Sequence, residues 1–151
     1  MEQEPSINKI KVVKEIILEV FHFLEERYTY IPVLKDKHDK TFIESIDIEY
    51  INQPKRRKIV ISYSKNKVYE EVKYTLSCSI IRTPYLGVED FLSLSDYLKS
   101  IGKDFSTSMV SEFNKPEAKS ILLTIATSLK VYALNIIQGK QWLDNYYSRK
   151  D

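Results

Sequence analysis

Apolar and polar residues alternate most regularly from Val72 to Ile81, where Val72, Tyr74, Leu76, Cys78 and Ile80 interleave with Lys73, Thr75, Ser77 and Ser79. A period of two sends the first set to one face of a β-strand and the second to the other, so one face packs and the other stays wet. The same rhythm predicts a strand over Phe42 to Ile51, with Ile46, Ile48 and Tyr50 inward, and a second in which Ile59, Ile61 and Tyr63 point inward. Asn52-Gln53-Pro54 and the basic run behind it separate those two strands. Asn66-Lys67, with an Asn that tolerates positive φ, predicts the connection to a third strand running from about Val68 to Arg82. Tyr28 to Leu34 is rich in aromatic and β-branched residues, and Pro32 confines it to a sheet edge or an irregular extended segment.

Before and after these strands the spacing changes to three and four. Ser6 or Asn8 caps a helix whose apolar positions Ile7, Ile10, Val13, Ile17, Val20, Leu24 and Tyr28 form one face, widened by Phe21 and Phe23. Ser93 or Ser95 caps a short helix that Gly102 closes, and Lys103 to Phe113 is expected to be a surface loop. Asn114, with Pro116 and Glu117 behind it, opens a last long helix with the stripe Ala118, Ile121, Leu122, Ile125, Leu129, Tyr132, Ala133 and Ile136, ending near Gly139. Trp142, Tyr146 and Tyr147 are expected to fold back onto that helix. The pattern specifies an α+β fold: an antiparallel β-meander of three to four strands with long N-terminal and C-terminal helices packed on one face, in a single domain over 1-151.

Length and composition fit that reading. A chain of 151 residues suits one domain that buries roughly 68–70% of the surface its unfolded form exposes. Cys78, the one cysteine, falls on the inward parity and reads as a small buried apolar residue, which suits a reducing cytoplasm. Lys9, Lys11, Lys14, Glu15 and Glu19 interrupt the first helix with charge, against a secretory signal. From Ser120 to Gly139 only Lys130 is charged, but its central place and the polar Thr124, Thr127, Ser128, Asn135 and Gln138 favour a buried helix over a membrane span. The net charge of +2 is uneven: Met1–Tyr50 carries −4, Ile51–Arg82 +6 and Thr83–Asp151 none.

Candidate chemistry is sparse. His22 and His38 lie apart from each other and from Cys78, which is neither a zinc-ligand spacing nor a Cys/His catalytic pair; both histidines read as packing or solvated residues. Asp36 and Asp39 flank lysines without the Gly turn of a calcium loop, and Gly87, Gly102 and Gly139 are too isolated for a phosphate loop. Glu25-Glu26, Glu70-Glu71 and Glu89-Asp90 read as solubilising charges. No catalytic residue, metal or cofactor is expected. Three surfaces remain as candidates, one of them the loop from Lys103 to Phe113 as an alternative seat for a protein partner. The turn Lys55-Arg56-Arg57-Lys58, beside Tyr63 and Tyr69, is either a nucleic-acid contact or a wet turn that guards a sheet edge. The polar sheet face of Glu71, Lys73, Thr75 and Ser77 either meets water or is a platform for a protein partner, a reading that 11 tyrosines favour; a homodimer would also account for an uncovered face.

Three segments carry a resemblance. "FHFLEERYTYIPVL" resembles the helix-plus-aromatic-strand opening of many small uncharacterised bacterial proteins, "IDIEYINQPKRRKIVISYS" their strand–turn–strand pattern, and "LKVYALNIIQGKQWL" their closing helix. Such proteins are often encoded beside secreted polymorphic toxins and regarded as immunity proteins. The resemblance implies a non-enzymatic cytoplasmic binder that occludes a cognate toxin, with no catalytic motif to carry over. The chain lacks the strong acidity of many inhibitors of basic nucleases, which speaks against mimicry of nucleic acid. A small nucleic-acid-associated protein acting through Lys55, Arg56, Arg57 and Lys58 is the alternative.

Overall fold

The computed structural model describes residues 6–35, 42–103, 105–110 and 112–143. In chain order these form α1 (Ser6–Val20), α2 (His22–Tyr28), β1 (Ile31–Lys35), β2 (Glu44–Asn52), β3 (Arg57–Val68) and β4 (Glu71–Arg82). A short 3-10 turn leads into β5 (Phe91–Ser93) and α3 (Leu94–Ser100), followed by β6 (Ser108–Val110), α4 (Lys115–Tyr132) and α5 (Leu134–Ile137). The fold is α+β with an entirely antiparallel sheet. Neighbours run β1-β2-β3-β4, and both β5 and β6 lie on the outer edge of β4, against Ser79–Ile81 and Lys73–Thr75 respectively. Among the described residues there are thus six strands where the pattern suggested three to four. The two extra ones are three residues long, below the length at which alternation can be read.

The inward parity holds along the sheet. Ile46, Ile48 and Tyr50, Ile59, Ile61 and Tyr63, and Tyr74, Leu76, Cys78 and Ile80 all join one buried cluster. Val13, Ile17 and Leu24 reach that cluster from the N-terminal helices, Leu94 and Leu98 from α3, and Leu122, Ile125 and Leu129 from α4. α1 and α4 also touch each other, and Lys130 lies 4.5 Å from the centre of the Phe23 ring. The helices therefore share one side of the sheet, the arrangement that a strand polar on its other face requires. Among the described residues no helix is long and apolar enough to cross a membrane.

Several boundaries differ from the pattern. The first helix breaks at Phe21 (φ −99°, ψ 15°), whose ring turns into the core 6.3 Å from that of Tyr50. His22 is exposed and stands 3.5 Å from Glu25. The last helix breaks at Ala133, and the buried turn α5 follows. Ser93 and Asn114 cap α3 and α4, as their positions suggested, by accepting from Asp96 N and Glu117 N. Lys103 to Phe113 is not simply a loop: Met109 of β6 is buried, and Thr107 O accepts from Leu76 N. Asp36, His38, Asp39, Tyr146 and Tyr147 lie outside the described residues.

The β3–β4 connection falls at Tyr69-Glu70, not Asn66-Lys67. Both central residues have positive φ (51° and 67°), the conformation of a type I′ two-residue hairpin. Asn-Gly is the preferred pair there because an L side chain in the left-handed region costs roughly 1–2 kcal/mol. Tyr69 is 97% exposed, so its side chain recovers little of that. Replacing Tyr69 by Asn and Glu70 by Gly is expected to raise the free energy of unfolding by about 1 kcal/mol. A urea midpoint that stays put or falls would refute the strain assigned to this turn.

Candidate functional site

The face of the sheet opposite the helices is built by the residues that the core leaves out. Register aligns them in rows across the strands. Ser45, Ser64, Thr75 and Ser108 form one row, Lys35, Asp47, Ser62 and Ser77 the next, and Val33, Glu49, Val60, Ser79 and Ser93 a third. Short hydroxyl side chains on a hydrogen-bonded sheet make a plateau with donors and acceptors but little rotamer entropy to lose on contact. Thr75 and Ser77 stand on this plateau. Lys73 and Glu71 continue their line toward the β3–β4 turn, opposite Asn66 and Val68, and are well exposed. All four candidate residues of β4 therefore share the helix-free face.

One end of that face is apolar, which alternation alone does not signal. Ile31, Ile51, Lys58, Ile81 and Phe91 lie side by side in a fourth row. The signal present in the sequence is a run of apolar doublets and triplets, Tyr50-Ile51, Ile59-Val60-Ile61 and Ile80-Ile81, which the register brings to the same end of three strands. Lys58 interrupts the row and stands 3.4 Å from Glu49. Where the row reaches β1, a concavity of about 520 Å³ opens. Ile31, Val33, Ile51 and Pro54 give it apolar walls, and Thr29, Asn52 and Gln53 its polar groups. Ile31 is 67% exposed there. Thr29 holds a left-handed backbone (φ 61°, ψ 32°), unusual for a β-branched residue and stabilised here because Asn52 Nδ2 donates to Tyr28 O and Thr29 Oγ1.

Most cations of the basic turn are engaged within the protein. Lys55 Nζ donates to Tyr28 O at 2.8 Å, and Arg56 Nε to Thr83 O at 2.9 Å. Arg57 is only 5% exposed: its Nε donates to Ile136 O, one Nη to Gln141 O and the other to Lys55 O and Arg56 O. Burial lowers its pKa from the ordinary guanidinium value, and the nearby Tyr30 phenol opposes that. Trp142 packs against the core cluster; its ring sits 4.9 Å from Arg57 and 5.2 Å from Arg82, and its Nε1 donates to Glu89 O. The turn ties the end of α2, the end of β4 and the segment from Ile136 to Gln141 together. Arg56 is the one of its four cations that is well exposed.

Two expectations about titratable groups follow different courses. Cys78 is buried and its thiol is pushed up by that burial, which disfavours a thiolate. Asp90, paired in sequence with Glu89, is not a solubilising charge: Oδ1 accepts from Arg82 Nε at 2.7 Å and Oδ2 from Leu86 N at 2.9 Å. The amide and the guanidinium hold its carboxyl below the usual carboxylate range. A lowered folded-state pKa contributes stability that is present above the unfolded value, about 3.9, and is lost as pH falls through the lower folded one. Asp90→Asn is expected to lower stability at neutral pH and to flatten the acid limb below about pH 4, measured by urea melts across pH. An acid limb as steep as the parent's would contradict the pairing.

Among the described residues no group of three or more His, Cys, Asp or Glu gathers to hold a metal ion. Compared with models of protein families, with curated proteins and with solved structures, the chain finds no match in any of the three.

Proposed function

We propose that this chain is a non-enzymatic cytoplasmic protein-binding module that seats its partner on the helix-free face of the sheet, and that the partner is a cognate toxin whose active surface it covers. The observation that carries the reading is the one-sided architecture: α1, α3 and α4 pack on one side, leaving a hydroxyl plateau and an apolar end row on the other. A non-obligate interface as a whole is a mixture of polar and apolar surface, about as apolar as the rest of a protein's exterior. The mixed charges of Lys35, Asp47, Glu49, Lys58, Glu71 and Lys73 favour a partner of mixed charge over a polyanion. The toxin rests on the resemblance of the three sequence segments to immunity proteins. Nucleic-acid binding through Lys55, Arg56, Arg57 and Lys58 draws less support, since the turn directs most of its donors to its own carbonyls.

The test is co-expression with the product of the adjoining toxin-like reading frame, followed by calorimetric titration. Ser62→Arg and Ser77→Arg on the plateau are expected to weaken binding at least ten-fold, while Leu123→Arg on the outer side of α4 leaves it unchanged. Binding that survives both plateau variants, or salt-sensitive binding to nucleic acid lost in Arg56→Ser, would overturn the proposal.

A further inference from the structure

The concavity at the β1 corner has a chemistry of its own. None of its lining residues carries a formal charge, and at about 520 Å³ it falls within the roughly 300–1,000 Å³ range of ligand pockets. Its interior polar group is already committed: Asn52 Nδ2 donates to Tyr28 O and Thr29 Oγ1, and Asn52 Oδ1 accepts from Lys55 N. Gln53 is different. It is exposed on the rim, and its carboxamide makes no hydrogen bond to the described residues. A free carboxamide offers one donor group and one acceptor, the complement of a backbone amide in an extended chain.

Ile31, Val33 and Ile51 fall on the helix-free parity and Gln53 follows β2 in the turn, so the pocket is continuous with the plateau and the apolar end row. The neighbouring edge is unsuited to strand addition, because Pro32 of β1 has no N–H to offer along it. Resting on the docking-face reading, we infer that this pocket is the anchor point of that face, taking two uncharged apolar side chains at positions i and i+2 of an extended segment of the partner. Side chains two apart project from the same side of such a segment, about 6.6 Å from each other, and Gln53 reads the peptide group between them. Hot spots of this kind concentrate binding where an anchor enters a preformed pocket. Thr29, held in its left-handed conformation by Asn52, keeps the wall in place before any partner arrives.

The pocket can be read without the partner. The full chain, labelled with nitrogen-15, is titrated with acetyl-phenylalaninamide, acetyl-leucinamide, the paired probe acetyl-Leu-Gly-Phe-amide and the charged control acetyl-aspartamide. Saturable shifts are expected at the amides of Ile31, Val33, Ile51 and Gln53, with dissociation constants on the order of millimolar for the single side chains. The paired probe is expected to bind at least ten-fold tighter and the charged control not at all. Ile31→Asp, at an exposed position that cannot unfold the core, abolishes the shifts; Gln53→Ala weakens the paired probe only, and Leu123→Asp changes nothing. Shifts scattered over the plateau, indifference to Ile31→Asp or no gain for the paired probe overturn the inference. So does a dimer seen by light scattering that Ile31→Asp dissolves, since the occupant would then be a second copy. A partner that keeps its affinity for Ile31→Asp but loses it for Ser77→Arg sinks the anchor and leaves the docking face standing.

Discussion

Replacing Arg57 by Ala is expected to lower the free energy of unfolding by about 3 kcal/mol, a large fraction of the roughly 5–15 kcal/mol that holds a domain together. The guanidinium donates to four carbonyls: Ile136 O at the end of α5, Gln141 O beyond it, and Lys55 O and Arg56 O in its own turn. Ile136 O keeps Gly139 N and Arg56 O keeps Thr83 N as donors; truncation takes the guanidinium from Lys55 O and Gln141 O as well, at about 1–3 kcal/mol for each acceptor that water does not reach. It also removes one of the two cations against Trp142, worth about 0.5–2 kcal/mol. Arg57→Lys is expected to recover less than half of the loss, because one ammonium cannot span carbonyls on two segments. Arg56→Ala, at an exposed site, should stay within about 0.5 kcal/mol of the parent. The protein has one tryptophan, so its fluorescence reports this corner alone. In Arg57→Ala the emission should shift at lower urea than the circular dichroism; coincident transitions at the parent's midpoint would refute the clamp.

That clamp also marks where the sequence stops being readable. Alternation identifies the inward face of every long strand because a side-chain period of two is a local property. It does so even though the β3–β4 turn lies at Tyr69-Glu70 instead of Asn66-Lys67. Moving the turn by three residues shifts each cross-strand partner by six, an even number, so Ile61 still faces an inward residue, Cys78. Helix caps are equally local, and Ser93 and Asn114 act where their positions suggested. What escapes is long-range. Arg57 and Lys58 are neighbours in a basic run, yet one is buried against carbonyls 79 and 84 residues away and the other stands on the open face against Glu49. No composition rule separates them. The plateau residues of β4 are legible, whereas the apolar end row exists only once five strands are in register.

The second large effect concerns Glu44, which continues the inward parity of Ile46, Ile48 and Tyr50 one step toward the start of β2 and is almost wholly buried. Tyr63 Oη donates to its Oε1 at 2.7 Å, while its Oε2, also buried, has no hydrogen-bond partner. Burial and the carboxylate together push the Tyr63 phenol up. Each member therefore depends on the other more than the fold depends on the pair. Tyr63→Phe leaves a buried carboxylate with neither oxygen bonded and is expected to cost about 2–3 kcal/mol, since hydrogen bonds to charged groups contribute about 1.5–3. Glu44→Met removes the charge but orphans the phenol, at about 1–2 kcal/mol. The double variant should be near the parent's stability or above it, because replacing a whole buried polar pair by apolar groups of similar shape is nearly neutral or stabilising. The coupling measured by a double-mutant cycle of urea melts is then about 3 kcal/mol or more, and at neutral pH it exceeds what any exposed ion pair of this chain can give. Additive costs in the cycle would mean that Glu44 draws its stabilisation from somewhere other than Tyr63.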